Sequence, residues 1–487
     1  MNTSIIRYIL GQVMKVEALF LLLPCLVALI YEEKQGYAFL TVAGISGLIG
    51  IITTIKKPTN NTFYLKEGCV ATALSWIIMS IIGCLPFVLS GDIPSFTDAL
   101  FETISGFTTT GASILTDVEA LSYACLFWRS FTHWIGGMGV LVFILAVMPL
   151  SSGSNINLMR AESPGPSVGK LVPKMRYTAR LLYIIYLVLT LIEIGLLLIS
   201  KMPVFDSITH SFGTAGTGGF GIKNTSITDY TALQQWIITV FMIIFGVNFN
   251  AYYLILLKQF KKAFKIEEVK YYLLIILSAV GIISINIYET TMSIEETLRH
   301  ASFQVASIIT TTGYSTADFN LWPEASKCIL VLLMFIGACA GSTGGGIKVS
   351  RIVIMAKTLL KELNSYIHPK SVKKIKMDDK TIEHDVVRSI NVYLITFMIL
   401  FTVSVFAISF DNFDFTTNFT AVTATINNIG PGLEMVGPTG NFSMFSIFSK
   451  YVLMFDMLAG RLELFPLLIL FHPSIWKDAI VSKKKNK

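Results

Sequence analysis

Hydrophobic residues along this chain are gathered into long runs that few charged side chains interrupt. A helix needs roughly 20 apolar residues to cross the hydrocarbon core of a bilayer. Several runs approach that length: Ala18 to Ile30, Ile77 to Ser90, Leu181 to Ile199 and Trp236 to Leu257. We expect them to be membrane-spanning helices, and we place the first two spans, an accessory hairpin, at about residues 14–31 and 37–55.

Shorter apolar segments alternate with the later long runs. Each is too short to cross a bilayer, so we expect a re-entrant helix that enters and leaves on the same side. These segments cover about residues 95–108, 204–215, 295–309 and 413–427. An acid stands near the start of three of them, at Asp98, Asp206 and Asp414, where it would cap the helix or favour its dipole. The partly negative C-terminal ends would then point at the membrane centre and favour a cation there.

A glycine follows each short segment in a similar local sequence. The aligned glycines are Gly111, Gly218, Gly313 and Gly430, at spacings of 107, 95 and 117 residues. Each would follow a short helix and precede a second long one. Glycine permits positive φ and close approach of the backbone, and backbone carbonyls arranged around an axis can replace the water shell of a cation. The pattern predicts a pseudo-fourfold cation pore folded from one polypeptide, whereas isolated Gly-Thr stretches would be tight turns.

Composition and charge support a membrane protein. Of 487 residues, 53% are hydrophobic and 14% are charged, whereas soluble proteins carry about 25% charged residues. Basic residues cluster at 56–66, 160–180, 258–270, 370–380 and 483–487. The positive-inside rule places these clusters in the cytoplasm, which predicts ten spans, four re-entrant helices and two cytoplasmic termini. Each cluster adjoins a hydrophobic run, so we expect no nucleic-acid partner.

Acidic residues mark the opposite side of the predicted topology. They stand in the loops between the basic clusters, and we expect them to face outward and attract cations. They include Glu32, Glu33, Asp92, Asp98, Glu102, Asp117, Glu119, Glu289, Glu295, Glu296, Asp411 and Asp414.

The predicted fold is an all-α polytopic membrane protein. Its four repeats each contain a spanning helix, a pore helix and a second long helix in pseudo-fourfold arrangement. We divide the chain into an N-terminal hairpin at 1–60 and repeats at 61–155, 156–265, 266–382 and 383–487.

Several motifs resemble one family of transporters. They are Thr108 to Ser113, Trp128 to Ser130, Trp134 to Gly139, Arg160 to Pro166, Ala340 to Lys348, Asn427 to Gly432 and Gly460 to Glu463. Together they resemble the Trk/Ktr/HKT superfamily of potassium transporters over essentially the whole chain, and the accessory hairpin favours its TrkH branch. The resemblance implies a homodimer in the cytoplasmic membrane, docked on a cytosolic nucleotide-binding ring of TrkA type. Membrane lipid is the remaining expected partner.

The candidate K⁺ ligands are backbone groups of the four glycine-containing stretches. They are Thr109, Thr110, Gly111, Gly216, Thr217, Gly218, Thr311, Thr312, Gly313, Asn428, Ile429 and Gly430. In the superfamily, four aligned glycines imply preference for potassium, and serine in the first implies sodium. The fourth stretch departs from the Thr-rich pattern. Potassium uptake is the predicted function, and a sodium-permeable or non-selective cation transporter is the alternative. The sequence leaves open whether the ion passes through a gated channel or enters coupled to protons or sodium.

A glycine-rich stretch at 337–346 interrupts the apolar run between Ile329 and Leu360. Glycine this dense does not hold a stable helix, and irregular backbone at membrane depth must line a cavity or be buried in protein. We predict a gating loop; a close helix-packing surface is the alternative. It is not a phosphate-binding loop, because Ile347 follows the last glycine and no strand precedes it. The candidate gate residues are Gly341, Ser342, Thr343, Gly344, Gly345, Gly346 and, from the last run, Arg461.

Arg461 lies in the last apolar run, where an arginine is costly. It would act as an electrostatic barrier to cations, or pair structurally with Glu463 or a carbonyl of the gating loop; both roles are compatible. Lys348, just after the loop, is expected to reach toward the cytoplasmic surface.

The chain offers no constellation typical of an enzyme. Its six cysteines form no Cys-x-x-Cys pair, and His133, His210 and His300 have no partner at metal-ligand spacing, so we expect local hydrogen bonds. We predict neither catalysis nor an organic cofactor; K⁺ is the transported ion. The basic segment 361–380 is the best candidate surface for a cytosolic partner, followed by 258–270.

Overall fold

The computed structural model describes residues 1–58, 64–139, 175–290, 293–370 and 373–477. The motif at residues 160–166 and the basic cluster at 483–487 lie outside these ranges. The described chain is helical apart from one short antiparallel pair of strands, β1 (Lys376–Met377) and β2 (Lys380–Thr381). Six of its helical segments are long and apolar enough to cross a membrane, or seven if one sharply bent pair counts as a span.

The N-terminal hairpin consists of α1 (Thr3–Phe20), α2 (Leu22–Ile30) and α3 (Gly36–Thr54). Helices α1 and α2 form one candidate span of 28 residues, so the first span begins earlier than residue 14, where the sequence placed it. The helix is interrupted at Leu21 because Pro24 has no N–H to donate to the carbonyl of Phe20. The hairpin packs closely at Gly11 and Gly50, where a Cβ on Gly50 would lie 2.9 Å from the Gly11 oxygen.

The remaining helices follow a recurring order of long helix, short helix and third helix, and the third helix is broken in the second, third and fourth repeats. The long helices are α4 (Leu65–Ser90), α7 (Met175–Ile199), α12 (Glu267–Ile287) and α16 (His384–Ile408). The short ones are α5 (Phe96–Phe107), α8 (Val204–Gly216), α13 (Ile294–Ile309) and α17 (Phe415–Ile426). The third group begins with α6 (Tyr123–Met138), α9 (Ala232–Phe245), α14 (Glu324–Ile336) and α18 (Ile447–Arg461).

The helices of the third group are shorter than the long second helices that the sequence predicted. They have 16, 14, 13 and 15 residues. After the break the chain continues in α10 (Phe249–Leu256) and α11 (Phe260–Ala263), in α15 (Val349–Ile367), and in α19 (Phe465–Leu468). Helices α9 and α10 are bent by 91°. Glycine at the break accounts for three of the four ends, because it does not favour continued helix: Gly139, Gly246 and Gly337 follow the last helical residues.

The short helices begin as the sequence predicted. Asp414 is the N-cap of α17 and accepts a hydrogen bond from the backbone N–H of Thr417 at 2.9 Å, while Asp98 and Asp206 lie in the first turns of α5 and α8. The Thr417 side chain also donates to Asp414, which together with the backbone N–H lowers the pKa of that carboxyl. The Asp414 cap satisfies an N–H group that the first helical turn leaves unpaired.

Candidate functional site

All four short helices end in the same backbone motif. In each ending one backbone N–H bonds to the carbonyl five residues earlier, at 2.8 to 2.9 Å: Thr110 to Ser105, Gly218 to Gly213, Thr312 to Ser307 and Ile429 to Ala424. The preceding residue has a left-handed conformation in every case, with φ of 56° at Thr109, 53° at Thr217, 59° at Thr311 and 56° at Asn428. This is the Schellman ending of a helix, repeated four times.

The left-handed residue is usually glycine or asparagine in such endings, but three of these are threonine. A β-branched residue with positive φ is strained, at a cost of roughly 1–3 kcal/mol. Such strain persists only where the surrounding structure fixes the backbone. All four left-handed side chains are fully buried, so the packing around the loops holds these conformations.

A glycine with positive φ follows two residues after each left-handed residue. These glycines are Gly111 (81°), Gly219 (77°), Gly313 (87°) and Gly430 (99°). The sequence alignment was therefore wrong by one residue in the second loop. Gly219, not Gly218, is equivalent to the other three glycines; Gly218 matches Thr110, and Gly216 is still helical. Three of the four residues at 216–219 are glycine, so the sequence alone did not determine which of them aligns with the glycines of the other loops. The helix ending determines that alignment.

The four glycine loops, residues 109–111, 217–219, 311–313 and 428–430, meet around one centre. A Cβ on Gly111 would lie 2.1 Å from the Gly218 carbonyl oxygen, and one on Gly219 would lie 1.9 Å from that of Thr312. A Cβ on Gly313 would similarly approach Ile429, at 2.1 Å. The ring closes because a Cβ on Gly430 would lie 2.8 Å from the Thr110 oxygen. Each glycine thus touches the equivalent carbonyl of the next loop, and no side chain fits between them.

One side of this ring opens into a cavity of about 170 Å³. The four equivalent glycines all line it. Lys223 and Asn224 from the second loop region and Pro431 and Asn441 from the fourth are also at its wall. We call this cavity the vestibule. Within the described residues, it gives solvent a route to all four loops at once.

The fourth loop departs from the other three in its side chains, as the sequence indicated. Asn428 replaces threonine, and its amide nitrogen donates to the Thr110 hydroxyl and to the Met457 carbonyl, both at 2.9 Å. The asparagine therefore joins the fourth loop to the first and to α18, where a threonine would be too short to reach both.

Behind the first two loops lies a buried ion pair that sequence reasoning missed. Arg129 on α6 donates to Glu102 on α5 at 2.5 Å and to the Gly221 carbonyl at 2.6 Å, and both side chains are at most 3% exposed. Glu102 also accepts from the backbone N–H of Ile114 at 3.0 Å. The pair therefore fixes the chain just beyond Gly111 and Gly219.

Glu102 was predicted among the outward-facing acids, and that assignment was wrong. It lies in the middle of α5, so its carboxylate is enclosed by the neighbouring helices. A signal was present in the sequence, since Glu102 stands in the middle of a short apolar segment and Arg129 is the one strongly charged residue of α6. Such buried charges persist when paired.

The histidines make local hydrogen bonds, as the sequence indicated. His133 contacts the Gly106 carbonyl through Nδ1 at 2.8 Å and accepts from the Phe220 N–H at Nε2, so it joins α5 to the chain just beyond the second loop. His210 contacts the hydroxyl of Tyr230 at 3.0 Å, and His300 that of Thr316 at 2.9 Å. Within the described residues, no group of three or more His, Cys, Asp or Glu side chains is arranged to hold a metal ion.

The loop at 337–346 packs against the glycine loops on the side opposite the vestibule. Gly345 donates its N–H to the Thr311 hydroxyl at 2.6 Å. A Cβ on Gly344 would lie 2.8 Å from the Thr310 carbonyl oxygen, and one on Gly345 would lie 2.5 Å from that of Asn427. The loop therefore lies directly against the third and fourth glycine loops.

Glu268 on α12 holds this loop from behind and was not singled out from the sequence. Its carboxylate accepts from the N–H of Ala340, inside the loop, at 2.6 Å and from that of Ser350, just after the loop, at 3.1 Å. The carbonyl of Gly341 is fixed by the N–H of Phe249 at 3.0 Å. The loop is thus anchored in its first half and just beyond its end, while Gly344 and Gly345 face the glycine loops.

Arg461 at the end of α18 joins three parts of the chain. Its guanidinium donates to the Thr343 carbonyl at 3.0 Å and to the carbonyls of Gly136 and of Gly137, the latter at 2.9 Å. The expected contact with a carbonyl of loop 337–346 is therefore present. Glu463, the other candidate partner, forms its ion pair with Arg351.

Lys348 does not reach the surface, contrary to expectation. It is 2% exposed and donates to the carbonyl of Gly344 within loop 337–346. Two cationic side chains, Lys348 and Arg461, therefore lie at the loop and bind its carbonyls.

The chain matches one family over nearly its whole length. The model of the TrkH family, described as a cation transport protein, matches residues 45–482. The Trk system potassium uptake protein TrkH of Salmonella typhimurium is 35% identical over 469 residues, covering 94% of this chain and 96% of that protein. TrkG of Escherichia coli K12, also named a Trk system potassium uptake protein, is 32% identical over 488 residues, covering 98% and 100%.

A solved structure has the same fold. The crystal structure of the potassium transporter TrkH from Vibrio parahaemolyticus matches with a TM-score of 0.88 at 30% identity, covering 98% of this chain and 100% of that chain. This match confirms the predicted all-α membrane fold.

Proposed function

Because this chain belongs to the TrkH family of cation transport proteins, we propose that it takes up potassium through the ring of glycine loops. It is a multi-pass membrane protein, and the family is one of transporters rather than enzymes. The observation that carries the proposal is the closed ring in which Gly111, Gly219, Gly313 and Gly430 each contact a carbonyl of the next loop.

A cation at this ring would exchange its water shell for backbone oxygens. The candidate ligands are the carbonyls of residues 109–111, 217–219, 311–313 and 428–430, with the second set shifted by one residue from the sequence prediction. The short helices aim their C-terminal ends at the ring, and their dipoles favour positive charge there. The fixed backbone leaves few ways for the ring to shrink around a smaller ion, which favours potassium over sodium.

Loop 337–346 and Arg461 form the gate in this proposal. The loop lies directly under the ring, and the guanidinium binds its Thr343 carbonyl while adding positive charge to the same region. A cation leaving the ring would meet both the loop and this charge. Opening then requires the contacts of Gly345 and Arg461 to break.

The proposed assembly follows the sequence predictions. Repeats 61–155, 156–265, 266–382 and 383–487 each supply one glycine loop. Two such chains form a homodimer in the cytoplasmic membrane, with both termini and the basic clusters inside. A cytosolic nucleotide-binding ring of TrkA type would dock on this side and bias the gate. The names of the relatives, which describe a Trk system, support partner subunits.

The test compares uptake of potassium and sodium by Gly313→Ser and by a matched control, in proteoliposomes and in an uptake-deficient host. At Gly313 a side chain would clash with the Ile429 carbonyl oxygen, and the φ of 87° is one that residues with side chains rarely adopt. Gly281→Ser places the same side chain in α12, where nothing lies within 4 Å.

We expect Gly313→Ser to lose most potassium uptake or its preference over sodium, and Gly281→Ser to behave like the unaltered chain. Equal potassium uptake by both variants at equal membrane abundance would overturn the assigned ring. A sodium-permeable or non-selective transporter would instead show no potassium preference in the unaltered chain.

A further inference from the structure

A second cavity, of about 750 Å³, is lined by residues that lie between the third and fourth glycine loops in sequence. Its walls are the C-terminal half of α15, the segment around β1 and β2, and the first turns of α16. It is lined by basic side chains and by apolar ones. The basic ones are Lys361, Lys373, Lys374, His384 and Arg388, and the apolar ones include Ile375, Ile382, Val387 and Val392.

The positive charge of this cavity is poorly compensated. Glu362 is the one carboxylate in its lining. Within the described residues, Lys361, Lys374 and Arg388 form no salt bridge with an acid. Lys373 donates to the side chain of Asn364, another lining residue, at 3.1 Å. Lys361, Lys374 and Arg388 therefore face one space with no acid paired to them in the described part of the chain, which favours an anion with multiple acceptor oxygens.

The cavity also adjoins a membrane span. The candidate span His384–Asp411 begins with the residues that line it. Val392, which is at the cavity wall, starts an exposed apolar stripe with Ile395, Ile399 and Val403, each 44% to 60% exposed. Their spacing of three or four residues puts them on one face of α16. An apolar surface therefore leads from the basic cavity along the helix into the bilayer.

We propose that this cavity binds the phosphate headgroup of an anionic phospholipid, whose acyl chain follows the stripe of Val392, Ile395, Ile399 and Val403. Basic pockets between helices on the cytoplasmic side are suited to such headgroups. A soluble phosphate would use the cations but not the stripe, and an acidic protein surface would use neither the cavity depth nor the stripe. This inference rests on the proposed function in one respect, because that proposal places the basic clusters on the cytoplasmic side of the membrane. It does not depend on the proposed ion pathway.

The test measures lipid binding to the purified full chain by native mass spectrometry. The probes are dioleoyl phosphatidylglycerol, dioleoyl phosphatidylcholine and dihexanoyl phosphatidylglycerol, with glycerol 3-phosphate as a soluble competitor. The variant is Lys374→Gln with Arg388→Gln. The control is Lys265→Gln with Lys270→Gln, which removes the same charge from two exposed residues outside the cavity. Monodispersity and melting temperature are recorded for each.

We expect the long-chain phosphatidylglycerol to bind at least tenfold more tightly than the phosphatidylcholine and the short-chain lipid. That preference should be lost in the cavity variant and kept in the control. The proposal would be overturned if the two headgroups bound with equal affinity, or if both variants lost lipid affinity equally. It would also be overturned if glycerol 3-phosphate displaced the bound lipid as effectively as free lipid does. If the cavity variant is misfolded, the long-chain and short-chain phosphatidylglycerols are compared on the unaltered protein. Tighter binding of the long-chain lipid supports the proposal, and equal binding overturns it.

A cytosolic protein bound through Lys374 and Arg388, with no lipid preference, would also overturn it. Potassium flux measured on the same preparation separates this result from the proposed function. Absence of flux would contradict potassium uptake without changing the lipid result.

Discussion

Gly345 donates its backbone N–H to the hydroxyl of Thr311 over 2.6 Å, so the loop under the ring is bonded directly to one of the four glycine loops. Thr311 is the left-handed residue of its loop, with φ of 59°. A glycine there would relieve backbone strain but would remove the hydroxyl. The strained threonine therefore links the proposed selectivity ring to the proposed gate.

Replacing Thr311 with valine should increase basal potassium flux. The substitution keeps the branched shape but removes the acceptor for the Gly345 N–H. One hydrogen bond contributes about 1 kcal/mol, so we expect the ratio of open to closed states to rise about fivefold. Stopped-flow or isotope flux in proteoliposomes measures the effect, and Thr311→Ser should keep the basal rate.

Thr109→Val is the matched control for this substitution. Thr109 occupies the equivalent position in the first loop with φ of 56°, and its hydroxyl has no hydrogen-bond partner among the described residues. Backbone strain changes similarly in both variants, whereas only Thr311→Val releases loop 337–346. Equal flux changes in the two variants would mean that the Gly345 contact does not restrain the gate.

Arg461→Ala should also increase flux, and by more. The guanidinium holds the Thr343 carbonyl and the carbonyls of Gly136 and Gly137, and hydrogen bonds from a charged group contribute roughly 1.5–3 kcal/mol each. Removing them frees the loop and removes a positive charge from the proposed ion route. We expect at least a tenfold rise in potassium flux at equal membrane abundance.

Arg461→Lys should have an intermediate flux, because it keeps the charge but lacks the planar fork that reaches several carbonyls. If potassium flux in the alanine variant is unchanged or lower at normal protein yield, Arg461 has only a structural role and does not restrict ion flow.

The order of helices could be predicted from the sequence because it depends on segment length and charge. The short apolar segments became α5, α8, α13 and α17, and every boundary lies within two residues of its predicted position. The breaks in the third helix of the second, third and fourth repeats were less predictable. The 91° bend between α9 and α10 follows Gly246, a single glycine that apolar periodicity does not distinguish from a packing residue.

The candidate site was predictable to the level of loops but not of single residues. Local sequence located the four glycine loops, yet the choice between Gly218 and Gly219 depended on a helix ending that only the backbone reveals. The contacts of Arg129 with Glu102 and Gly221 join residues 27 and 92 positions apart. Such pairings follow from the packing of helices, which one sequence does not specify.

Asp414→Ala should lower the free energy of unfolding by about 1 kcal/mol at neutral pH, the typical contribution of an N-cap. The folded chain lowers the pKa of Asp414 through Thr417, so the carboxylate stabilises the fold above its unfolded pKa. This contribution is lost as the pH falls through the folded pKa. Denaturant unfolding of both proteins across acidic and neutral pH measures it, and a difference that grows in acid would contradict the assignment.

Glu102→Gln should strongly destabilise the chain around the first two glycine loops. The substitution leaves the Arg129 charge buried without its carboxylate, and breaking such a pair costs about 3–5 kcal/mol. Glu324→Gln is the control, since Glu324 pairs with Lys327 while 89% exposed and should cost less than about 1 kcal/mol. Thermal unfolding in detergent measures both. Because the pair fixes Ile114 and Gly221, the Glu102 variant should also lose potassium preference over sodium below its melting temperature. Full stability with unchanged selectivity would show that the ring holds its shape without this ion pair.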